Sequence, residues 1–182
     1  MKFCSECGHG LTVRVPDGDN RERSICDRCA TIHYLNPKIV TGCLPVFEDR
    51  VLLCRRAIEP RSGLWTLPAG FMENGESAEE GARRETMEEA CAHVEIDNLY
   101  TLFSLPHISQ VYMFFLARLP EPVFQAGEES LAVKLFREDQ IPWEQLAFPV
   151  VTDTLRHFFN DRKREVFPMR SSTIEFGRRL GS

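Results

Sequence analysis

Apolar and polar residues alternate in short bursts along the middle of this chain, and a period of two predicts strands. KIVTGCLPVF and RVLLCRR read as two strands joined by the turn EDR. After the loop AIEPRSG, LWTLPAG reads as a third, short strand. The period then changes. Ser77 stands three residues before Glu80, the spacing of a reciprocal helix N-cap, and predicts a helix running to about Cys91 or Ala92. NLYTLFSL, QVYMFFLARL and LAVKLF return to strand patterning, and VVTDTLRHFFNDRKR predicts a closing helix. The order β-β-β-α-β-β-β-α implies an α/β fold, a sandwich in which helices flank a mixed sheet.

The flanks differ from this middle. Residues 1–35 are rich in cysteine and contain PDGDNRERS, which reads as a loop or hairpin tip. The body of the periodicity runs over 36–160, and 161–182, charged and weakly patterned, is expected to be a loosely held tail. A length of 182 residues supports one full core with a small appendage. The net charge of −5 argues against a general nucleic-acid surface, so nucleic acid is not an expected partner. It leaves anionic substrates open, provided metal ions supply the positive charge. No apolar run reaches the length of a membrane span, and the start MKFCSECGHG lacks signal or transit character. A cytoplasmic protein with no membrane partner is expected. Seven cysteines, an odd number, fit a reducing compartment better than a disulfide framework.

One stretch is chemically unusual. GFMENGESAEEGARRETMEEAC, residues 70–91, holds seven glutamates in twenty-two positions. On a helix Glu85, Glu88 and Glu89 fall within an arc of roughly 100°, and small residues (Ala78, Gly81, Ala82, Ala92) share that face. Like charges at i, i+3 and i+4 oppose helix stability, whereas a solvated helix more commonly alternates its charges. Clustered carboxylates make sense where a hard divalent cation neutralises them; Mg²⁺ in particular bridges to phosphate oxygens. The six fixed positions Gly70, Glu76, Arg84, Glu85, Glu88 and Glu89 satisfy G-x5-E-x7-R-E-x-x-E-E. At average residue usage, that coincidence has a frequency on the order of 10⁻⁷ per starting point.

The segment resembles the Nudix box, G-x5-E-x7-R-E-U-x-E-E-x-G-U with U aliphatic, and GLWTLPAG resembles the lead-in of that family. Thr86 stands at an aliphatic position and Ala90 replaces the glycine; neither removes a carboxylate. The resemblance implies a Nudix α/β/α sandwich with a mixed sheet, and hydrolysis of a nucleoside diphosphate linked to another group. By the same carry-over Glu85, Glu88 and Glu89 hold Mg²⁺ or Mn²⁺, and Arg84 orients a catalytic glutamate. Gly70 lets the loop turn back over the helix, and Glu76 ties loop to helix. Glu129, before the last sheet strand, is the implied general base, with Glu128 as its neighbour and competitor.

Cys4, Cys7, Cys26 and Cys29 form C-x2-C-x18-C-x2-C, a spacing suited to a closed four-thiolate structural Zn²⁺ site, with a rubredoxin-type iron centre as the competitor. His9 and His33 flank the pairs and are not needed as ligands. Cys43, Cys54 and Cys91 lie in apolar stretches and read as core residues. A small zinc ribbon ahead of a Nudix box resembles FAD/ADP-ribose pyrophosphatases and, less closely, NADH pyrophosphatases. The S-Q-P-W-P-F-P-x-S segment of the latter is missing, and FSLPHISQVYMFF stands there. The implied substrates are FAD or ADP-ribose, giving AMP and a second phosphomonoester; NADH or NAD and RNA ends are alternatives. A nucleic-acid-binding ribbon protein with a silent Nudix domain is the alternative outside enzymes. Many relatives dimerise, and a homodimer is expected on that ground alone. Trp65, Phe71, Phe103 and Tyr112 read as core aromatics before they read as ring-stacking ligands. His107 reads as structural or exposed, and the basic run Arg162, Lys163, Arg164 as a solvated helix end.

Overall fold

The structure, a computed structural model, describes residues 1–175. The chain divides into two compact units, Met1–Pro37 and the part beginning at Lys38. The first is a three-stranded antiparallel sheet of β1 (Leu11–Arg14), β2 (Arg23–Cys26) and β3 (Ile32–His33). The turn-rich part of PDGDNRERS connects β1 to β2, and its last two residues, Arg23 and Ser24, begin β2.

The second unit is built on an eight-stranded sheet. Its strands are β4 (Lys38–Phe47), β5 (Arg50–Arg56), β6 (Trp65–Thr66), β7 (Ala69–Phe71), β8 (Glu95–Leu105), β9 (Gln110–Arg118), β10 (Ser130–Phe136) and β11 (Arg170–Thr173). The helices are α1 (Ala78–Ala90) and α2 (Pro149–Arg162). The order along the sheet is β10-β5-β4-β9-β8-β11, with β6 on β5 and β7 on β4. Two pairs, β4–β9 and β8–β11, are parallel and the rest antiparallel, so the sheet is mixed.

The pleat assigns the helices to opposite faces. Leu44, Val51, Leu53, Phe114 and Leu116 join Val150, Val151, Leu155, Phe158 and Phe159 of α2 in one buried cluster. Their sequence neighbours Cys43, Phe115 and Ala117 pack with Ala82 of α1. Leu52 and Cys54 pack with Ala90 at the end of that helix. The small face of α1 lets it lie close on β4: Thr41 Oγ1 donates to the Ala78 carbonyl at 2.7 Å and Cys43 Sγ reaches the Ala82 carbonyl at 3.4 Å.

The β4–β5 hairpin pairs only at its tip, Val46 with Val51 and Phe47 with Arg50. Below it the strands part and LWTLPAG fills the wedge. That segment is two strands rather than the single strand its pattern suggests. Pro68 lacks an N–H and cannot continue a ladder; its carbonyl accepts from Cys43 N–H at 3.1 Å as the chain crosses from β5 to β4. The crossing delivers Gly70 against Glu85 of the acidic helix.

Further expectations change. Cys91 is exposed, not core, because it occupies the left-handed C-cap position after α1 at φ 47°, its N–H bonded to the Met87 carbonyl. The loosely held tail does not hold for residues 170–174, where β11 docks parallel to Thr101–Ser104 and Ile174 is buried. Net charge hid a strand whose anchor is ionic: Arg170 forks onto Asp161, with Nη2–Oδ1 at 2.6 Å, and Asp161 also accepts from the buried Tyr100 hydroxyl at 2.7 Å. The rest of that tail, 176–182, lies outside the described residues. Among the described residues no helix is long and apolar enough to cross a membrane.

Candidate active site

Ser77 caps α1 as its spacing with Glu80 suggests, each side chain bonding the other's backbone N–H, at 3.2 and 2.7 Å. The cap fixes where the helix begins, and so the direction in which its glutamates point. Arg84 organises the loop around them. Its Nε and Nη2 donate to the two Glu76 oxygens at 3.0 and 2.8 Å, and Nη2 also reaches the Phe71 carbonyl at 3.1 Å. From the same guanidinium, Nη1 donates to Glu85 at 2.7 Å and to Glu88 at 3.0 Å. Glu76 in turn accepts from the Glu73 N–H at 2.7 Å. The Arg84 fork, helped by that N–H, holds the Glu76 carboxyl down at about 2.

Gly70 has a steric role in this arrangement. A Cβ there would lie 2.3 Å from the Glu85 carboxylate. Gly81 is comparable: its absent side chain leaves room for Glu76 Oε1, 2.6 Å from where a Cβ would stand. The loop before β10 closes the far side. Gln125 and Gly127 donate their N–H groups to the Ala90 and Glu89 carbonyls at 2.8 and 3.1 Å. A Cβ on Gly127 would run into the Glu88 carbonyl oxygen at 1.7 Å. Glu128 and Glu129 follow directly and join Glu85, Glu88 and Glu89 in the wall of one cleft of about 1090 Å³.

Burial separates these carboxylates. Glu88 is exposed enough to stay solvated, whereas Glu85 and Glu89 are buried, Glu89 at 6% relative exposure. Desolvation, with the Glu85 charge beside it, pushes Glu89 up to about 8. Desolvation also raises Glu85, although Arg84 pulls the other way. Glu89 Oε2 is buried with no hydrogen-bond partner among the described residues. A buried, partnerless carboxylate oxygen beside a second buried carboxylate suits a hard divalent cation, which would supply the missing partner. The departures from the box are accommodated: Thr86 is buried with its hydroxyl on the Ala82 carbonyl at 2.8 Å, and Ala90 is fully buried.

From the carboxylates the cleft extends to an apolar region where Tyr112, Phe114, Phe148 and Val150 line it. Trp65 and Phe103 are buried as expected, whereas Phe71, expected in the core, is exposed and lines the cleft, with Lys38 Nζ 4.8 Å from its ring centroid. His107 lines the cleft too.

In the first unit the cysteine sulfurs all lie within 4.8 Å of one another. Both C-x-x-C turns are built alike: Gly8 N–H bonds the Cys4 carbonyl at 3.0 Å and Ala30 N–H the Cys26 carbonyl at 2.8 Å, with φ of 71° and 62°. Four converging thiols on paired turns fit a single tetrahedral ion. His33 Nε2 stands 3.4 Å from Cys4 Sγ, a partner of the cluster that spacing alone did not single out. Gly127 was missed as well; its only signal is a glycine directly before the Glu128–Glu129 pair.

A family model described as NUDIX domain matches residues 36–158, well over half of the chain. The chain belongs to the Nudix family. Residues 2–35 match a second model, the Nudix N-terminal zinc ribbon. A Nudix hydrolase from Nitrosomonas europaea of known structure is 52% identical, with a TM-score of 0.94 over 96% of this chain and 99% of that one. The NAD-capped RNA hydrolase NudC of Yersinia pestis is 28% identical over 149 residues, 78% of this chain and 53% of that protein. The chain thus spans about half the length of the curated relatives it matches. An ADP-ribose pyrophosphatase from Streptococcus suis shares the fold at 24% identity, with a TM-score of 0.60 over 75% of this chain and 100% of that one.

Proposed function

We propose that this Nudix hydrolase splits the diphosphate of an adenine dinucleotide or ADP-sugar, FAD or ADP-ribose foremost, into AMP and a second phosphomonoester. The observation that carries the reading is the buried Glu85–Glu89 pair with its partnerless oxygen, placed in the wall of a cleft whose other end is apolar. Glu85, Glu88 and Glu89 would hold Mg²⁺ or Mn²⁺, and the four cysteines Zn²⁺. When bound, the divalent cation supplies the positive charge and Lewis acidity that a diphosphate needs in order to accept a nucleophile. Arg84 fixes Glu85 and Glu88 from one guanidinium, so neither carboxylate must reorganise as substrate arrives. Glu129 is the group that takes the proton of the attacking water, with Glu128 beside it. Both line the cleft beside the helix carboxylates, on the loop that Gly127 clamps onto the end of α1. The apolar walls receive a flat ring and exclude competing water.

The similarity to NudC favours a second reading, NADH or an NAD-capped RNA end as substrate. The absent S-Q-P-W-P-F-P-x-S segment weighs against it, since Leu105, His107 and Ile108 line the cleft in that region. Parallel assays of FAD, ADP-ribose, NADH and NAD-capped RNA with Mg²⁺ or Mn²⁺, with products identified, decide between them. AMP with FMN or ribose 5-phosphate as the fastest products is the expected outcome; NADH or capped RNA as the best substrate would overturn it.

A further inference from the structure

Strand β11 brings to the cleft a residue that lies beyond the family match, which ends at residue 158. Ile174 follows the strand, donates its N–H to the Ser104 carbonyl at 2.9 Å, and lines the cleft at 6% exposure. It belongs to the same buried cluster as Leu105, Phe114, Val150 and Val151, all of which also line the cleft. The segment is anchored from behind. Arg170 grips Asp161 with both Nη atoms, Asp161 is 3% exposed, and Tyr100 of β8 completes its hydrogen bonding. Phe167 stacks on Phe158 with ring centroids 5.8 Å apart. Such an anchor fixes the position of a strand that is otherwise short and largely exposed.

We propose that Ile174 is a specificity-determining residue: it forms part of the apolar wall of the cleft and meets the ring system of the nucleotide there. The Tyr100–Asp161–Arg170 group acts as a positioning device that keeps this wall in place. The inference rests on the nucleotide-diphosphate reading given above. It follows from shape and burial. A buried branched side chain in the apolar lining limits the room left for a flat ring, and a change of a few carbon atoms there shifts discrimination by about tenfold or more. The carboxylates that carry the chemistry lie elsewhere in the cleft, so the wall acts on binding and not on turnover.

The test is steady-state kinetics with ADP-ribose, together with calorimetric binding of intact ADP-ribose in Ca²⁺, for Ile174→Trp, Ile174→Val and Arg170→Ala. Ile174→Trp should raise KM and Kd by about tenfold or more with kcat within about threefold, while Ile174→Val stays near the wild type. Arg170→Ala alters no lining residue, yet it should raise KM in the same direction, because the wall loses its anchor. Unchanged KM and Kd in both Ile174→Trp and Arg170→Ala would overturn the proposal, as would a fall in kcat at constant KM. If wild type binds ADP-ribose without splitting it and Ile174→Trp still weakens Kd, the reaction assigned above is wrong and the wall stands. If wild type splits ADP-ribose and Ile174→Trp leaves KM unmoved, the reaction stands and the wall does not.

Discussion

Glu89 illustrates what burial does to a carboxylate whose second oxygen has no partner among the described residues. Its folded-state value of about 8 lies above the ordinary 4.5, because burial and the neighbouring Glu85 charge oppose ionisation. The sign follows from linkage: the stabilising contribution is complete below about pH 4.5 and is lost as pH rises to about 8. In EDTA the melting temperature of the wild type should therefore fall across that window, and Glu89→Gln should flatten the fall. A divalent cation should restore stability above pH 8. Equal pH profiles for the two metal-free proteins would contradict this reading. The glycines separate chemistry from folding in a similar way. Gly70→Ala presses on the flexible end of Glu85, so it should cost activity, by about tenfold or more, with little loss of stability. Gly127→Ala presses on the backbone carbonyl of Glu88, which cannot yield by rotating a side chain. It should lower the melting temperature as well as turnover, and a thermal melt beside an assay distinguishes the two.

At the scale of elements, the sequence was most legible where a period coincides with a local signal. The Ser77–Glu80 cap and the β4–β5 hairpin lie where their patterns indicate, because burial and hydrogen bonding reinforce the same local preference. The split of LWTLPAG was less legible. Two short strands on two different neighbours are a tertiary arrangement, and only Pro68 hints at it. β11 was illegible for a different reason: RSST has no alternation, and its hold on the sheet is reinforced by a partly buried ion pair distant in pattern terms. The box carboxylates could be read from spacing. The placements of Gly127, His33 and Ile174 could not, since each depends on a partner that only folding brings near. The cysteine unit allows an element-scale test. Purified protein should hold one Zn²⁺ per chain, and Cys26→Ser should release it and loosen residues 1–35, because four thiolates around one ion take the place of a core too small to stand alone. Cleavage should still occur at the same bond. Elemental analysis finding no zinc, or product chemistry that changes with Cys26→Ser, would count against a purely structural ion.

For the whole molecule, an excess of acidic residues and an acidic cleft pose one problem for an anionic substrate: repulsion. Divalent cations resolve it locally, which ties substrate binding to metal binding in a way that net charge alone would forbid. On the proposed reading, the preference between substrates would then lie with the apolar lining of the cleft. FAD and ADP-ribose should exceed NADH in kcat/KM by about ten- to a hundredfold, the range that pocket contacts distant from the reacting bond supply. A ratio near one would show that Leu105 and His107, where the NADH-type segment is absent, do not set selectivity.

The most direct measurement of the central claim is the conversion of ADP-ribose to AMP and ribose 5-phosphate, followed while Mg²⁺ or Mn²⁺ is titrated into metal-stripped wild type, Glu85→Gln and Glu89→Gln. The catalytic cation should exchange easily and the thiolate ion should stay tightly held, so stripping is done with EDTA at a concentration that leaves zinc in place, as elemental analysis checks. Wild type should go from inactive to active with added cation. Both variants should remain folded and turn over about 10²-fold more slowly or worse at saturating metal, the size of effect expected when an activating ion or base is lost. Full turnover without divalent cation, or near-normal turnover in both variants, would contradict the assignment of the acidic helix as the seat of the reaction.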